Sequence, residues 1–510
     1  MRADKPLKIK CGLSARIHAS SLAGLPAGVS MAANLWRAQV PASSVFLLCF
    51  FRGPPGDFRA VAVGDPGDRI AISCCASPAT RASMATHFRR IADYLTHAFT
   101  GRRIDERSRL QPHHGDIPPK VPGGSTISDE ALAQRWALPT LPPAARAALA
   151  DPSGMPEAER YARNIENFIG VARVPVGLAG PLRVNGAHAS GDYYVPLATT
   201  EAALVASYSR GAQLITEAGG CAAVVLNEGV TRAPGFAFET IGDASVFVAW
   251  AAGSFEVLCA AAAQTTRHGT LEDMQLAVEG NQDHVLFEFL TGDAAGQNMV
   301  TIATDAICRY IVEHAPVKPR YWFVEANMSG DKKATTHSFM TVRGKKVSAE
   351  IRLPEALVRK RLHTTPAAMV DYARMSVIGG VMSGSIGVQG HYANGLAALF
   401  IACGQDAACV AEAAVGVTRF EIREDGSLYA AVTLPNAIVG TVGGGTGLPT
   451  QKACLEILGL AGAGHARAFA EVTAALALAG ELSIIGALTA GHFTRAHQQL
   501  ARGPAGTSRT

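Results

Sequence analysis

One stretch of the chain, residues 236–325, restricts the possible fold more than any other. Its apolar spacing predicts a strand, a helix, two strands, a second helix and a final strand, in that order. This β-α-β-β-α-β order is typical of the ferredoxin-like arrangement, and it favours an α+β protein in which the stretch forms a separate unit. The predicted elements cover residues 236–241, 244–264, 271–279, 284–291, 298–314 and 321–325.

A glycine-bearing turn, residues 292–299 with the sequence GDAAGQNM, links the third of these strands to the second helix. Such a turn delivers a helix N-terminus, which can bind an anion such as the pyrophosphate of a dinucleotide. The turn lacks the GxGxxG spacing of the Rossmann fingerprint. A turn that only caps the helix therefore stays open as the simpler interpretation.

The final strand runs into a polar segment, residues 325–333 with the sequence EANMSGDKK. Glycine and small polar residues between two apolar runs predict a loop at a strand end, followed by a second strand at residues 338–342. A lysine at a partly buried site can stabilise a developing oxyanion or bind a carboxylate or phosphate. Taken alone, the Asp-Lys-Lys triplet is more typical of a solvated turn than of a catalytic site.

Two carboxylates stand in positions that suggest chemistry. Glu201 follows a predicted strand and opens a predicted helix that runs to about residue 218, where it could also simply complement the helix dipole. Asp406 interrupts an apolar run of Ala, Cys and Val, so we expect it to be shielded from water and either paired or protonated. The glycine-rich segment 440–447 predicts backbone that can approach a ligand closely.

The C-terminal part predicts a helix over residues 466–480 and a last helix over residues 484–500. The last helix carries His492 and His497, whose spacing of five residues does not suit an i,i+4 metal pair. The ten cysteines are scattered without a CxxC pair, which argues against both a zinc site and a disulfide scaffold. No metal is expected.

Composition excludes several classes of protein. The apolar share of 48% and the charged share of 17% are those of a globular protein, and a net charge of +4 is too small to indicate nucleic-acid binding. The longest apolar run near the N-terminus, residues 45–51, is far shorter than the ~18–20 residues of a membrane span. We therefore expect a soluble, cytoplasmic protein with no membrane or nucleic-acid partner. Residues 1–125 carry no motif with recognisable chemistry, apart from a predicted helix at residues 86–99.

A series of short segments, taken in order, resembles the catalytic portion of class I 3-hydroxy-3-methylglutaryl-coenzyme A (HMG-CoA) reductases. Between residues 160 and 502 the segments are ENFIG, PVGLAGPL, VPLATTE, LVASYSRG, TRAP, GDAAGQNM, SGDKKA, GSIG, GHYAN, ACGQDAA, GTVGGGTGLP, AGELS and AGHFTRAH. The adjacent Asp-Lys-Lys is the form found in class I rather than class II enzymes. The resemblance implies a large domain around a long central helix, interrupted by the small ferredoxin-like domain that binds the nicotinamide dinucleotide. The implied division is 1–125, an extension of unknown role; 126–232 and 324–502, the large domain; 233–323, the small domain; and 503–510, a flexible tail.

The resemblance also implies an activity, the four-electron reduction of HMG-CoA to mevalonate and free coenzyme A in isoprenoid biosynthesis. Lys332 would stabilise the oxyanion formed by each hydride addition, and Glu201 would protonate the mevaldehyde oxygen. For this role we expect Glu201 to be buried and close to Asp406, which would also bond Lys332. His497 would protonate the departing thiolate, with His492 as the less favoured candidate.

Binding residues carry over from the same resemblance. Arg232 would hold the free carboxylate of HMG-CoA, in a pocket shared with Asp331, Lys333, His391 and Asn394. The expected cofactor is NADPH, with NADH possible and no metal, and its contacts would be Asp293, Ala294, Gly296, Asn298, Met299, Val442 and Arg502. The family builds its active sites across a dimer interface, bridged by the ENFIG segment, and commonly assembles as tetramers.

Four positions depart from the family pattern. Glu325 replaces a serine at the head of the lysine loop, and Met375 replaces a lysine that contacts coenzyme A phosphates, although Arg374 is adjacent. The segment 253–255 lacks the arginine of the family's Ser-Arg-Phe, so a basic contact to the 2′-phosphate of NADPH is missing. Gly503 replaces a serine that is phosphorylated in animal enzymes.

Two other functions compete with a reductase. An acyl-coenzyme A lyase or transferase would need no dinucleotide turn, so the GDAAGQNM segment speaks against it. A non-catalytic relative that binds coenzyme A thioesters need not keep Glu201, Lys332, Asp406 and His497 together.

Overall fold

The structure is a computed structural model that describes two parts of the chain. It gives the backbone of five short strands between residues 7 and 73, and it describes residues 117–492 except 139–140, 151–154 and 163. The chain divides into two compact units, Met1–Pro118 and Pro119–Thr510. The predicted helix at residues 86–99, His497, Arg502, Gly503 and the tail lie outside the described residues.

The first unit contains an antiparallel five-stranded sheet. Its strands are β1 (Leu7–Lys8), β2 (Ser14–His18), β3 (Leu47–Arg52), β4 (Phe58–Val63) and β5 (Arg69–Ser73). Their order in the sheet is β1-β2-β5-β4-β3, and β3 overlaps the apolar run at residues 45–51.

The second unit opens with short helices and then enters its main sheet. Ser128 caps the first helix, since its side chain accepts a 3.2 Å hydrogen bond from the backbone N–H of Ala131. The elements are α1 (Asp129–Trp136), α2 (Pro143–Leu149), a 3-10 helix (Met155–Tyr161), β6 (Val176–Gly186), β7 (Ser190–Ala198), α3 (Leu204–Glu217) and β8 (Cys221–Arg232).

Residues 235–323 have the expected ferredoxin-like pattern. Its elements are β9 (Gly235–Ala237), α4 (Ile241–Ala252), α5 (Phe255–Ala263), β10 (Thr270–Glu279), β11 (Gln282–Leu290), α6 (Gln297–His314) and β12 (Tyr321–Phe323). The four strands pair antiparallel in the order β12-β9-β11-β10. The expected α+β class is therefore confirmed.

One predicted helix of this stretch, residues 244–264, is wrong in detail. It consists of α4 and α5, which meet at 71°. The hydroxyl of Ser254 donates a 2.7 Å hydrogen bond to the carbonyl of Trp250. A carbonyl at the break therefore has a side-chain hydrogen-bond partner.

The remaining elements extend the sheet and surround it. They are β13 (Gly344–Leu353), α7 (Glu355–Leu362), α8 (Pro366–Ser383), α9 (Tyr392–Ala402), α10 (Val410–Ala413), β14 (Val417–Ile422), β15 (Leu428–Ala437), α11 (Pro449–Ile457) and α12 (Ala466–Thr489). Strand β8 belongs to both parts of the sheet, because residues 222–229 pair with β13 and residues 230–232 pair with β11. This strand places the ferredoxin-like part directly beside the larger one.

The predicted strand at residues 338–342 is wrong. A 3-10 helix, Thr336–Phe339, occupies its first half, and the next strand starts only at Gly344. The hydroxyl of buried Ser338 accepts a 2.6 Å hydrogen bond from the side chain of Asn436, which holds this turn in place.

Helix α12 is the long central helix, and the predicted break near residue 480 is absent. Glu481 does not end the helix, because its carboxylate is fully buried and satisfied by groups from other elements. The helix is long and apolar enough to cross a bilayer, yet 83% of its apolar window is buried inside the protein. That burial is typical of a core helix.

Candidate active site

Lys332 and Asp406 form an ion pair at the end of the lysine loop, with 2.9 Å between Nζ and Oδ2. The other oxygen of Asp406 accepts a 3.0 Å hydrogen bond from the backbone N–H of Ala408. The hydrogen bond with Asp406 raises the pKa of Lys332. Burial alone would raise the pKa of Asp406, but the bonds from Lys332 and Ala408 outweigh it and lower that pKa. Both groups are therefore charged at neutral pH.

The loop presents Lys332 from an unusual backbone conformation. Lys332 has a φ of 55°, in the left-handed region that a lysine rarely adopts. A strained residue of this kind persists only where its surroundings fix it, and such residues concentrate at functional sites. Here the backbone N–H of Lys332 donates a 3.3 Å hydrogen bond to the buried carboxylate of Glu412.

Two buried arginines lie beneath the loop and share Asp331. Arg343 contacts Oδ1 of Asp331 at 2.7 Å, and Arg232 contacts Oδ2 at 3.0 Å. Arg343 also pairs with Glu412 at 2.6 Å. Burial raises the pKa of Glu412, although Arg343 opposes the shift. These contacts fix Asp331 and the backbone of the neighbouring Lys332.

Glu325, one of the departures from the family pattern, ties the head of the loop to the same cluster. Its Oε2 accepts hydrogen bonds from Arg232 at 3.3 Å, from the hydroxyl of Ser329 at 2.8 Å and from the N–H of Ala233 at 3.3 Å. Arg232 is thus held by two carboxylates, those of Glu325 and Asp331. Lys333 lies at the exposed side and donates to the backbone carbonyl of Asp331 at 2.9 Å.

A cavity of about 520 Å³ surrounds the Lys332–Asp406 pair. One wall is the GDAAGQNM turn, and another is the glycine-rich segment after β15. Of the residues expected to contact a dinucleotide, those that line this cavity are Ala294, Gly296, Asn298, Met299 and Val442.

Asp293 does not line the cavity with its neighbours in the turn. Its carboxylate accepts hydrogen bonds from the backbone N–H groups of Gly464 at 2.7 Å and Ala466 at 3.1 Å, so it caps the start of α12. Burial raises the pKa of Asp293, but these amides lower it below its usual value. In this orientation the carboxylate fixes the turn, and the expected contact of Asp293 with a dinucleotide stays a prediction.

Glu201 lies in a second cavity of about 310 Å³, together with His391, Asn394 and Arg210. Its Oε2 accepts a 2.8 Å hydrogen bond from the side chain of Asn394. The expected burial of Glu201 is wrong for the single chain, because the residue is exposed. No described residue lines both cavities.

The helix after Glu201 also starts later than predicted. Helix α3 begins at Leu204, and Ala203 before it has a left-handed φ of 70°. Glu201 therefore stands in a turn, where its own N–H donates to the hydroxyl of Thr199 at 3.0 Å. It is not in the first turn of the helix, which removes the helix-dipole interpretation.

Sequence reasoning missed several residues that build these cavities. Gln297 lines the Lys332 cavity and donates to Sγ of Cys409 at 3.1 Å. Tyr208 stacks on the imidazole of His391, with ring centroids 5.1 Å apart. The GDAAGQNM motif could have indicated Gln297, but nothing local to Tyr208 distinguishes it from a core residue.

The described residues include no cluster of three or more His, Cys, Asp or Glu side chains that could hold a metal. His492 lies within the described part, with its ring 5.7 Å from that of His363, and it lines neither cavity.

Comparisons with known proteins agree on one family. The family model described as hydroxymethylglutaryl-coenzyme A reductase matches residues 134–502. A 3-hydroxy-3-methylglutaryl-coenzyme A reductase of Pyrococcus abyssi is 44% identical over 352 residues, covering 68% of this chain and 86% of the relative. The enzyme of the same name from Methanothermobacter thermautotrophicus is 45% identical, covering 67% and 86%.

A solved structure shares the fold. It is a class II 3-hydroxy-3-methylglutaryl-CoA reductase from Streptococcus pneumoniae bound to NADPH, with a TM-score of 0.52 and 20% identity. The match covers 71% of this chain and 97% of that one.

Proposed function

The chain belongs to the hydroxymethylglutaryl-coenzyme A reductase family, and we propose that it reduces HMG-CoA to mevalonate and free coenzyme A with two molecules of NADPH. The observation that carries this proposal is the Lys332–Asp406 ion pair in a cavity walled by the GDAAGQNM turn. We assign the chain to class I because Asp331, Lys332 and Lys333 are consecutive.

Each hydride adds to a carbonyl carbon and leaves a negative charge on its oxygen. The first addition, to the thioester, gives a hemithioacetal anion that collapses to mevaldehyde and the thiolate of coenzyme A. The second addition, to mevaldehyde, gives an alkoxide that takes up a proton and becomes mevalonate. Lys332 stabilises both oxyanions as a fixed cation, which is the role of a preorganised electrostatic group.

Asp406 keeps Lys332 protonated, so the lysine acts through its charge and the proton comes from another group. Glu201 supplies the proton to the mevaldehyde oxygen in this proposal. Protonation of the departing coenzyme A thiolate is assigned to His497 by the resemblance alone.

Glu201 and Lys332 line different cavities in one chain, which favours an active site completed by a second copy. The apolar side chains of Met375, Ile378, Val381 and Met382 are exposed on α8, where a subunit interface would cover them. We propose a dimer with shared active sites, which further assembles as a tetramer. Helix α8 leads into the segment before His391, so such an interface would adjoin the Glu201 cavity.

HMG-CoA would bind between the lysine loop and the Glu201 cavity. Arg232 and Lys333, which line neither cavity, hold its free carboxylate beside Asp331, while His391 and Asn394 face its thioester near Glu201. Glu325 partly neutralises Arg232, so the affinity for the free carboxylate of HMG-CoA depends on having glutamate rather than serine at position 325.

The dinucleotide fits the Lys332 cavity. Gly296 has a left-handed φ of 76° and directs the N-terminus of α6 to the wall, where backbone N–H groups favour a pyrophosphate. Gly443 and Gly444 also have positive φ values, which lets the opposite wall approach a ligand closely. When bound, NADPH supplies the hydride, and the residues of these two walls hold the dinucleotide in position. Arg502 is assigned to the adenosine phosphate by the resemblance alone.

The proposed setting is a cytoplasmic mevalonate pathway. The test is to count products: purified protein with HMG-CoA should oxidise two NADPH for each free thiol released, followed at 340 nm and with a thiol reagent. A run with NADH gives the cofactor preference that the missing arginine near Ser254 puts in question. Thiol release without NADPH oxidation would indicate a hydrolase or acyl transferase, and loss of HMG-CoA with neither would indicate a lyase, whose product remains a coenzyme A thioester. Binding of HMG-CoA without any turnover would indicate a non-catalytic relative.

A further inference from the structure

Glu481 is a fully buried carboxylate in the middle of α12. It accepts hydrogen bonds from the backbone N–H groups of Gly390 at 2.6 Å and His391 at 2.9 Å, and from the hydroxyl of Thr418 at 2.8 Å. Burial of a carboxylate costs free energy, and hydrogen bonds of this kind to its oxygens offset that cost. Glu481 therefore fixes the backbone that enters the Glu201 cavity.

Tyr208 holds the same residue from the other side. Its hydroxyl donates a 3.1 Å hydrogen bond to the carbonyl of His391, and the two rings stack at an angle of 14°. The Tyr208 ring itself lies between Gly395 and Gly480, where an added Cβ would come within 2.4 Å and 2.5 Å of ring atoms. Neither glycine can carry a side chain while Tyr208 keeps this position, so the support under His391 is rigid.

The imidazole of His391 has unused hydrogen-bonding capacity. Both ring nitrogens are buried and have no hydrogen-bond partner among the described residues, while the residue lines the cavity that contains Glu201 and Asn394. Nδ1 lies 3.5 Å from Oε1 of Glu481, which is longer than a good hydrogen bond but places the carboxylate at this edge of the ring. A carboxylate at that edge favours a proton on Nδ1 and so sets the tautomer of the ring.

We propose that Glu481 is a positioning residue for the acyl thioester, acting through His391. The buried carboxylate fixes the His391 backbone and orients the ring by its Nδ1 edge. Nε2, which is buried and unpaired in the single chain, is then the ring nitrogen left to bind a carbonyl or hydroxyl oxygen of the substrate at the wall of the Glu201 cavity. This inference rests on the proposed function, because it takes that cavity as the acyl site.

Helix α12 offers a control in Glu471, which is also fully buried, although its Oε1 has no partner among the described residues. Its Oε2 accepts two backbone hydrogen bonds, from His188 at 2.8 Å and Ala189 at 2.7 Å. Those residues form the turn between β6 and β7, and neither they nor Glu471 line either cavity. Glu471→Gln and Glu481→Gln make the same chemical change in the same helix. Only Glu481 bonds the backbone of the Glu201 cavity, so only Glu481→Gln should affect substrate binding.

The experiment compares Glu481→Gln, Glu471→Gln and the wild type. HMG-CoA binding is measured by calorimetry without NADPH, NADPH binding is measured separately, and the melting temperature reports damage to the core. We expect Glu481→Gln to weaken HMG-CoA binding about tenfold, with NADPH binding within twofold of wild type. Both variants should lower the melting temperature by similar amounts, and Glu471→Gln should leave HMG-CoA binding unchanged.

Two further readouts separate positioning from general damage. The ¹⁵N shifts of the His391 ring should place the proton on Nδ1 in the wild type and redistribute it in Glu481→Gln. Should Glu481→Gln not fold, Thr418→Val removes one donor to the carboxylate, and it should raise the KM for HMG-CoA about threefold with little change in kcat.

Equal HMG-CoA binding by folded Glu481→Gln and Glu471→Gln overturns the inference and leaves the proposed function intact. If Glu481→Gln does not fold, an unchanged KM in Thr418→Val has the same meaning. A wild type that does not bind HMG-CoA overturns the proposed function itself.

Discussion

The carboxylate of Asp293 accepts a 3.1 Å hydrogen bond from the backbone N–H of Ala466, the first residue of α12. The two residues are 173 positions apart in the chain. Through this contact the turn that walls the Lys332 cavity is attached to the start of the central helix. The main-chain carbonyl of Asp293 also accepts a bond of 2.8 Å from the N–H of Thr441, which joins the opposite wall. The shape of the Lys332 cavity thus depends on a helix cap.

Asp293→Ala should therefore affect both stability and cofactor binding. Loss of a helix cap typically lowers the free energy of unfolding by about 1–2 kcal/mol, and we expect the KM for NADPH to rise at the same time. Asp243→Ala is the control, because Asp243 belongs to the capping box of α4. It should reduce stability without changing the KM for NADPH. Urea unfolding and initial rates measure both effects, and an unchanged KM in Asp293→Ala would contradict the link between cap and cavity.

Asp283 makes stability depend on pH. It is fully buried, neither carboxylate oxygen has a partner among the described residues, and burial raises its pKa from 3.8 to about 6. The folded state therefore holds this proton more tightly than the unfolded state does. Its contribution to stability is greatest below the unfolded value and is lost as pH rises through about 6.

Asp283→Asn removes this titration. We expect it to raise the free energy of unfolding at pH 8 by about 1–3 kcal/mol and to change it far less at pH 4.5. Glu279→Gln, an exposed change on the same hairpin, is the control and should have little effect at either pH. Urea unfolding at the two pH values gives the comparison. A gain that is equal at both would show that Asp283 does not titrate in this range.

Glu325→Gln should strengthen the binding of HMG-CoA. The substitution removes one of the two negative charges beside Arg232 and keeps an oxygen that can accept from Ser329. We expect the KM for HMG-CoA to fall about three- to tenfold with the KM for NADPH unchanged, an effect of about 1 kcal/mol. A higher KM would mean that Glu325 orients Arg232 rather than competing with the substrate.

Shared active sites predict complementation between inactive variants. Glu201→Gln and Lys332→Ala each disable a different cavity, so a mixed dimer can still contain one site with both groups intact. After co-refolding or co-expression we expect up to about a quarter of wild-type activity per subunit, since half the subunits form mixed dimers and each has one good site. Activity no higher than the sum of the parents would place Glu201 and Lys332 in the same chain's site. Size-exclusion chromatography with light scattering gives the oligomeric state needed to interpret either result.

Local patterns were sufficient for the ferredoxin-like order and for the turns around the Lys332 cavity. Alternating apolar residues determine β10 and β11, and the glycines of the GDAAGQNM turn occur where the backbone needs positive φ values. These features could be predicted because each depends on neighbours within about ten residues.

Long-range pairing explains the errors. The sequence predicts a helix end at residue 480, but the partners of Glu481, Gly390 and His391, are 91 and 90 positions away and make its carboxylate stable inside α12. Arg343 and Glu412 support the lysine loop across 69 positions, and no local pattern distinguishes either from a surface residue. The resemblance implied active sites shared across a dimer interface, but it did not say that Glu201 and Lys332 of one chain would line different cavities.

The central claim is that the cation of Lys332 stabilises the oxyanions of both hydride steps. The most direct test is the rate of NADPH oxidation by Lys332→Ala, with Lys452→Ala as a control because Lys452 pairs with Glu456 on the surface of α11. We expect kcat of Lys332→Ala to fall at least about 10²–10³-fold while NADPH binding and melting temperature stay near wild type. Lys452→Ala should behave as wild type. A folded Lys332→Ala that retains more than a tenth of the wild-type rate would contradict the claim.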